Sequence, residues 1–375
     1  MAYKDSFLKL LHSLENRFDL LKFSIKKKRG NFDPIQVIPY LGYGSEKVSY
    51  IKGRVLENKG ITGASSSDNL WKNLGNMFKR FESDEVAGTE LKFSYNKKEY
   101  SLLTDQEGYF ELNFEAGKPQ NTAVWQEGEI EIIKAPIHFT PGIKSICRIL
   151  FLHPSASFGI ISDIDDTIVE TNATSLLKMA SSTFLNNAKT RSPFKGVSAF
   201  YKALEKGNSN SINPIFYVSS SPWNLYDLLL EFLQTHDIPL GPLLLKDYGI
   251  DNKSLLSQGH QAHKYFQISR ILQTYPSLPF ILIGDSGQED PSIYRQVIKD
   301  FPGRILCVYI RDVNIPKHAK KTHLIIEEVT QTKVPMLLVK DSTAAATHAA
   351  EMGYISKDSL PSINQEAKKD AAKQS

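Results

Sequence analysis

The sequence predicts two structural halves: a β-rich, sandwich-like region over residues 35–150, then an α/β region over 151–357 built on a parallel sheet. Three observations carry this. Short alternating segments separated by turn signals fill the first half. In the second half, apolar runs alternate with helical stretches. The 375 residues also exceed the span over which one hydrophobic core keeps growing.

Composition sets the class. With 41% hydrophobic and 23% charged residues, this is the balance of an ordinary globular chain. A net charge of +4 is mild for the length; it suits anionic substrates or surfaces and predicts no nucleic-acid partner. Cys147 and Cys307 each sit inside an apolar run, which argues against a disulfide framework and for a reducing, cytoplasmic setting.

The first element, over residues 1–34, is an amphipathic helix and a basic segment. Phe7, Leu10, Leu11, Leu14, Phe18 and Leu21 recur at helical spacing, so residues 5–23 read as a helix running into Lys26, Lys27, Lys28 and Arg29. Two readings stand: a helix packed on its own domain and followed by solvated charges, or an interfacial anchor for anionic lipid. Peripheral membrane association is therefore an open expectation. The segment carries charges throughout, unlike a cleavable secretory signal.

Strands follow at KVSYIKGRVL, ELKFSY, YFELNF, EIEIIKAPIHF and KSICRIL. Turn signals such as NKG, DQEG and TPG separate them. One helix interrupts the series, since Trp71, Leu74, Phe78 and Phe81 keep helical spacing. Nothing in this half assembles a catalytic constellation. After Pro154 the apolar runs FGIISDI, NPIFYVSS, PFILIGD, RILCVYI and VPMLLVKD read as buried parallel strands. Residues 358–375 are polar and are expected to be a disordered tail.

Open α/β sheets collect ligands and catalytic groups at the carboxyl ends of their strands. Three of these strand ends hold chemistry: Asp163-Ile164-Asp165-Asp166-Thr167, then Ser219-Ser220-Ser221, then Gly284-Asp285, with Asp290 close behind. Asp163 and Asp165 alternate along an extended segment, so both can face one site. Carboxylates this close repel unless a cation neutralises them, and an all-oxygen set including Asp285 suits Mg²⁺. Asp163 is then the candidate nucleophile and Asp165 the candidate proton carrier. Ser219 and a lysine would balance charge on a phosphoryl group. Lys264 is the expected lysine, with Lys246 and Lys253 as rivals.

FGIISDIDDTIVET, NPIFYVSSSPWNLYDLL, GPLLLKDYG, PFILIGDSGQEDPSIY and GRILCVYIRDV together resemble the haloacid-dehalogenase superfamily. More narrowly, they resemble the bacterial-type branch of the actin-patch-associated phosphatidate phosphatase family. The resemblance implies a Rossmann-like domain with a small cap behind a β-rich domain, and hydrolysis of phosphatidate to diacylglycerol and phosphate. It implies Asp163 as nucleophile, Asp165 as general acid/base and Thr167 as a loop support. Ser219 and Lys264 would hold the phosphoryl group. The magnesium site would comprise Asp163, Asp165 (through its backbone carbonyl), Asp285 and Asp290. Lys246 stands where this family leads one to expect arginine.

The segment LLKMASSTFLNNAKTRSPF would serve as the cap, leaving the site open to a headgroup projecting from a bilayer. Arg191 and Lys195 are candidates for touching phosphate or membrane, and Ser220 for touching substrate. Two alternatives remain at this level: a phosphatase for other phosphomonoesters, and a module that binds phosphatidate without cleaving it. The intact Asp163/Asp165 pair argues against the second.

Overall fold

The computed structural model describes residues 34–57, 85–119, 121–165, 167–168, 194–208, 211–246, 260–313 and 316–374. The expected helices at 5–23 and 71–81, the basic run at 26–29, Lys253 and the cap segment with Arg191 lie outside the described residues.

The first half forms an eight-stranded sheet from β1 (Ile35–Pro39), β2 (Gly42–Gly44), β3 (Ser49–Glu57), β4 (Glu90–Tyr95), β5 (Lys98–Leu103), β6 (Tyr109–Phe114), β7 (Trp125–Lys134) and β8 (Lys144–Leu150). The strand order is β1-β3-β2-β8-β7-β4-β5, with β6 also paired to β3. Pairing is antiparallel apart from the parallel β2–β8 contact. Leu91, Phe93 and Tyr95 alternate inward along β4, as period-2 patterning requires, and meet Ile130, Ile132, Cys147 and Ile149 in one core. The short β1 and β2, and the largely exposed β5, are not evident from the sequence because too few of their residues alternate.

The second half is a six-stranded parallel sheet of β9 (Gly159–Ser162), β10 (Ile215–Pro222), β11 (Leu243–Lys246), β12 (Phe280–Asp285), β13 (Ile305–Arg311) and β14 (Met336–Val339). Its order is β11-β10-β9-β12-β13-β14, which puts β9 between β10 and β12. Alternate residues on each strand serve opposite cores. Ile160, Ile281, Ile283, Cys307 and Tyr309 face one, while Ile161, Phe280, Leu282, Val308 and Ile310 face the other. The first core is completed by α1 (Val197–Lys206), α2 (Tyr226–Thr235) and α6 (Ser342–Glu351). The second is completed by α3 (His260–Thr274), α4 (Asp290–Asp300) and α5 (Pro316–Thr330). Strands buried on both faces read as continuous apolar runs, which is why the sequence exposes them so clearly. Cys147 and Cys307 are buried free thiols.

The expected disordered tail is instead helical: α7 (Leu360–Gln374) packs on α1 and α6. Ile363 is fully buried, and the acids beside it cap a neighbouring helix. Asp370 Oδ2 accepts from the Gly196 amide at 3.1 Å and Glu366 Oε1 from the Ala199 amide at 3.0 Å. Both carboxylates therefore satisfy orphan donors at the positive end of α1. Gly196 has φ 74°, and a Cβ there would lie 3.2 Å from Ala367. Polar composition conceals a docking face made of Leu360, Ile363 and small residues. Among the described residues, no helix is long and apolar enough to cross a membrane.

Candidate active site

Because β9 lies between β10 and β12, the carboxyl ends of these three strands meet at one edge. Asp163 directly follows β9, and its amide donates to the Ile283 carbonyl at 2.9 Å. Ser162 Oγ donates to the Asp163 carbonyl at 2.7 Å and also lies 2.7 Å from the Tyr201 hydroxyl of α1. The nucleophile candidate is thus anchored through its backbone, which leaves its side chain for chemistry.

Lys264, the fifth residue of α3, reaches into this edge. Its Nζ is 2.9 Å from Asp163 Oδ1 and 2.6 Å from Asp290 Oδ1, and all three side chains are buried. Asp290 Oδ2 accepts from the Asp285 amide at 3.2 Å. Asp285 Oδ1 accepts from the Gly287 and Gln288 amides at 2.6 and 3.0 Å. This close packing requires Gly284: a Cβ there would lie 2.5 Å from Asp290 Oδ2 and 2.8 Å from the Tyr294 hydroxyl.

Asp163, Asp285 and Asp290 each present an oxygen within 4.8 Å of the others, so the three could hold a metal ion. Asp163 Oδ2 is buried and accepts no hydrogen bond among the described residues. Burial pushes the Asp163 carboxyl well above the usual carboxylate range; Lys264 opposes this, while Asp290, Asp165 and Asp285 add to it. Burial disfavours the charged form of Lys264, but Asp163, Asp290 and Asp285 outweigh it and leave its pKa raised. A single ammonium among several buried acids leaves negative charge uncompensated. An all-oxygen, anionic donor set of this kind fits a hard divalent cation.

Asp165 belongs to a different environment. Its Oδ2 accepts from Ser219 Oγ at 2.7 Å and Ser221 Oγ at 3.0 Å, while its Oδ1 has no hydrogen-bond partner among the described residues. The Ser221 amide in turn donates to Ser219 Oγ at 2.9 Å. Ser219, expected on a phosphoryl group, therefore uses its hydroxyl on Asp165. The Asp165 side chain is not part of the three-carboxylate group. Its backbone carbonyl receives a long contact from Gln288 Nε2 at 3.4 Å.

Thr167 closes the following turn through its amide, 3.3 Å from the Ile164 carbonyl, and its buried hydroxyl makes no hydrogen bond among the described residues. Ser220 lines a cleft of about 250 Å³ together with Lys264, Gln288, Asp290 and His318. Lys246 ends β11 half-buried, and burial lowers its pKa. Lys195 is half-buried before α1, with no ion pair to the site carboxylates among the described residues.

Gln288 has no signal in the sequence; Ser221 is visible there only as part of its strand end, and His263 only as a helix-start histidine beside Lys264. His263 is buried against the Ser219 and Leu244 backbones, and burial followed by the Lys246 charge lowers its pKa to about 4.

Residues 158–312 match the family model described as phosphatidate phosphatase APP1, catalytic domain. Phosphatidate phosphatase APP1 of Saccharomyces cerevisiae is 29% identical over 214 residues, covering 56% of this chain and 36% of the yeast protein. An uncharacterized protein of Schizosaccharomyces pombe is 26% identical over 251 residues, covering 63% of this chain and 39% of its own length. The chain thus spans between a third and two fifths of these curated relatives. Among solved structures, a carbohydrate acetylesterase from Xanthomonas citri aligns over 80% of this chain and 69% of its own, at 9% identity. Its TM-score of 0.30 is too low to carry an argument about fold.

Proposed function

We propose that the chain is a Mg²⁺-dependent phosphatidate phosphatase with a haloacid-dehalogenase-type mechanism, acting at a membrane surface from the cytoplasm. The observation that carries the chemistry is the division of labour between two carboxylates two residues apart. Asp163 sits with Lys264 and two further acids, whereas Asp165 sits with two hydroxyls. Environments that differ this way suit one group to attack and the other to move a proton. The family-model match and the name of the yeast relative support phosphatidate as the substrate.

In this mechanism an Asp163 oxygen attacks phosphorus. The bond from phosphorus to the leaving oxygen breaks, and Asp165 gives that oxygen its proton. Asp165 then takes a proton from water, which attacks the aspartyl-phosphate, and phosphate leaves with Asp163 restored. Ser219 and Ser221 hold Asp165 Oδ2, leaving Oδ1 as the oxygen that carries the proton. Lys264 fixes Asp163 and Asp290 and keeps a positive charge beside the phosphoryl group. Asp163, Asp285 and Asp290 are the side chains that would hold Mg²⁺, which when bound would compensate the charge on the phosphoryl oxygens.

The test is phosphate release from vesicles containing phosphatidate, lysophosphatidate or diacylglycerol pyrophosphate, and from soluble phosphomonoesters. Asp163→Asn serves as the control and EDTA as the metal-free arm. Release from phosphatidate that EDTA and Asp163→Asn both abolish is expected. Release that survives in either arm overturns the mechanism, and preference for soluble esters overturns the lipid assignment.

A further inference from the structure

The β-rich half grips the turn that follows Ser219–Ser221. Beyond β10, Trp223, Asn224 and Tyr226 each meet a residue from the first half. Tyr40 stacks on Trp223 with ring centroids 5.2 Å apart and on Tyr226 at 3.9 Å. The Leu41 amide donates to the Tyr226 hydroxyl at 2.7 Å. Asn224 Oδ1 accepts from the Tyr109 hydroxyl at 2.7 Å and from Arg54 Nη1 at 3.3 Å. The Lys52 ammonium lies 4.9 Å from the Tyr109 ring centroid and 5.0 Å from that of Trp223.

Two cations, Lys52 and Arg54, are buried here, although burying charge is costly. Ring faces and the Arg54–Glu85 ion pair at 2.7 Å offset that cost. The expense falls on a turn that starts one residue after Ser221, whose amide and hydroxyl complete the hold on Asp165. A shift of Asn224 or Trp223 would pass along this short backbone to both serines.

We propose that Asn224, held by Tyr109 and Arg54, is a positioning residue for the Ser219–Ser221 end of β10, so that the β-rich half belongs to the catalytic unit. The family-model match begins at residue 158 and gives that half no role. The kinetic arm of the test rests on the phosphohydrolase reading; the structural arm does not.

Asn224→Ala removes both hydrogen bonds from an exposed side chain and leaves no cavity, and Tyr109→Phe removes one of them from the other side. Turnover of para-nitrophenyl phosphate and of phosphatidate vesicles is expected to fall about five- to twenty-fold in Asn224→Ala. KM should stay within about twofold. The double variant should be no slower than Asn224→Ala alone. Hydrogen exchange at the Ser221 amide should quicken about tenfold in both variants while the β12 amides keep their rates. Unchanged exchange at Ser221, or a lowered Tm with unchanged kcat, overturns the proposal and leaves these contacts as structural glue. If the wild-type protein releases no phosphate, the phosphohydrolase reading fails, and Ser221 exchange alone decides the positioning role.

Discussion

Replacing Lys264 with methionine keeps most of the side-chain volume and removes the ammonium that pairs with Asp163 and Asp290. At 2.9 and 2.6 Å, each pair carries a gross attraction of about 6 kcal/mol at an effective dielectric constant of about 20. Desolvating the ammonium opposes most of this, so removing one partner of such a buried group costs about 3–5 kcal/mol net. The sign with pH follows from Asp163. Its folded-state pKa is already raised, and losing Lys264 raises it further, so the folded variant holds a proton that the unfolded chain releases. Over the range where wild-type Asp163 is ionised and the variant's still holds its proton, the deficit therefore grows as the pH rises. Guanidinium unfolding of wild-type and Lys264→Met protein in EDTA, with equal m-values, measures it. Adding Mg²⁺ should shrink the difference, because a cation among the same carboxylates replaces the lost charge. A difference below about 1 kcal/mol at pH 7, unaffected by pH or Mg²⁺, would refute the electrostatic reasoning.

Two further substitutions probe the surroundings. Gly284→Ala places a methyl group against Asp290 Oδ2 and the Tyr294 hydroxyl, so a loss of about 1–3 kcal/mol is expected. At least a tenfold loss of phosphate release should accompany it; wild-type activity and Tm would mean Asp290 is not held where its chemistry needs it. His263 has a folded-state pKa of about 4, against about 6.5 for an unperturbed histidine. Between these values the unfolded chain binds the extra proton, so stability is full above about pH 6.5 and falls toward pH 4, by about 3 kcal/mol in total. His263→Gln should flatten this acid limb in unfolding curves from pH 4 to 7.5; parallel curves for both proteins would assign the limb to other groups.

Much of the α/β half is legible in the sequence, because a parallel sheet buried on both faces demands continuous apolar strands, and FGIISDI, PFILIGD and RILCVYI supply them. The strand-end rule then brings Asp163, Ser219 and Asp285 to one edge without any knowledge of strand order. β11 is not legible as a strand, because LLLK is too short for a period to declare itself. The helix at 360–374 is hidden because its docking face holds only Leu360, Ile363 and alanines among polar residues, and composition alone reads that as solvent-loving.

The parallel-strand pattern, the acids at its edge and the hydroxyls beside them are legible along the chain, since these depend on local periodicity and on residues within a few positions of each other. How the groups pair follows from the packing of distant elements. It put Lys264, about a hundred positions along the chain from Asp163, onto both Asp163 and Asp290, and it committed Ser219 and Ser221 to Asp165. It also closed Tyr40 and Tyr109 of the β-rich half over the turn beyond Ser221. A side chain's partner depends on which helix or strand packs beside it, and that is fixed only when the cores on both sheets close.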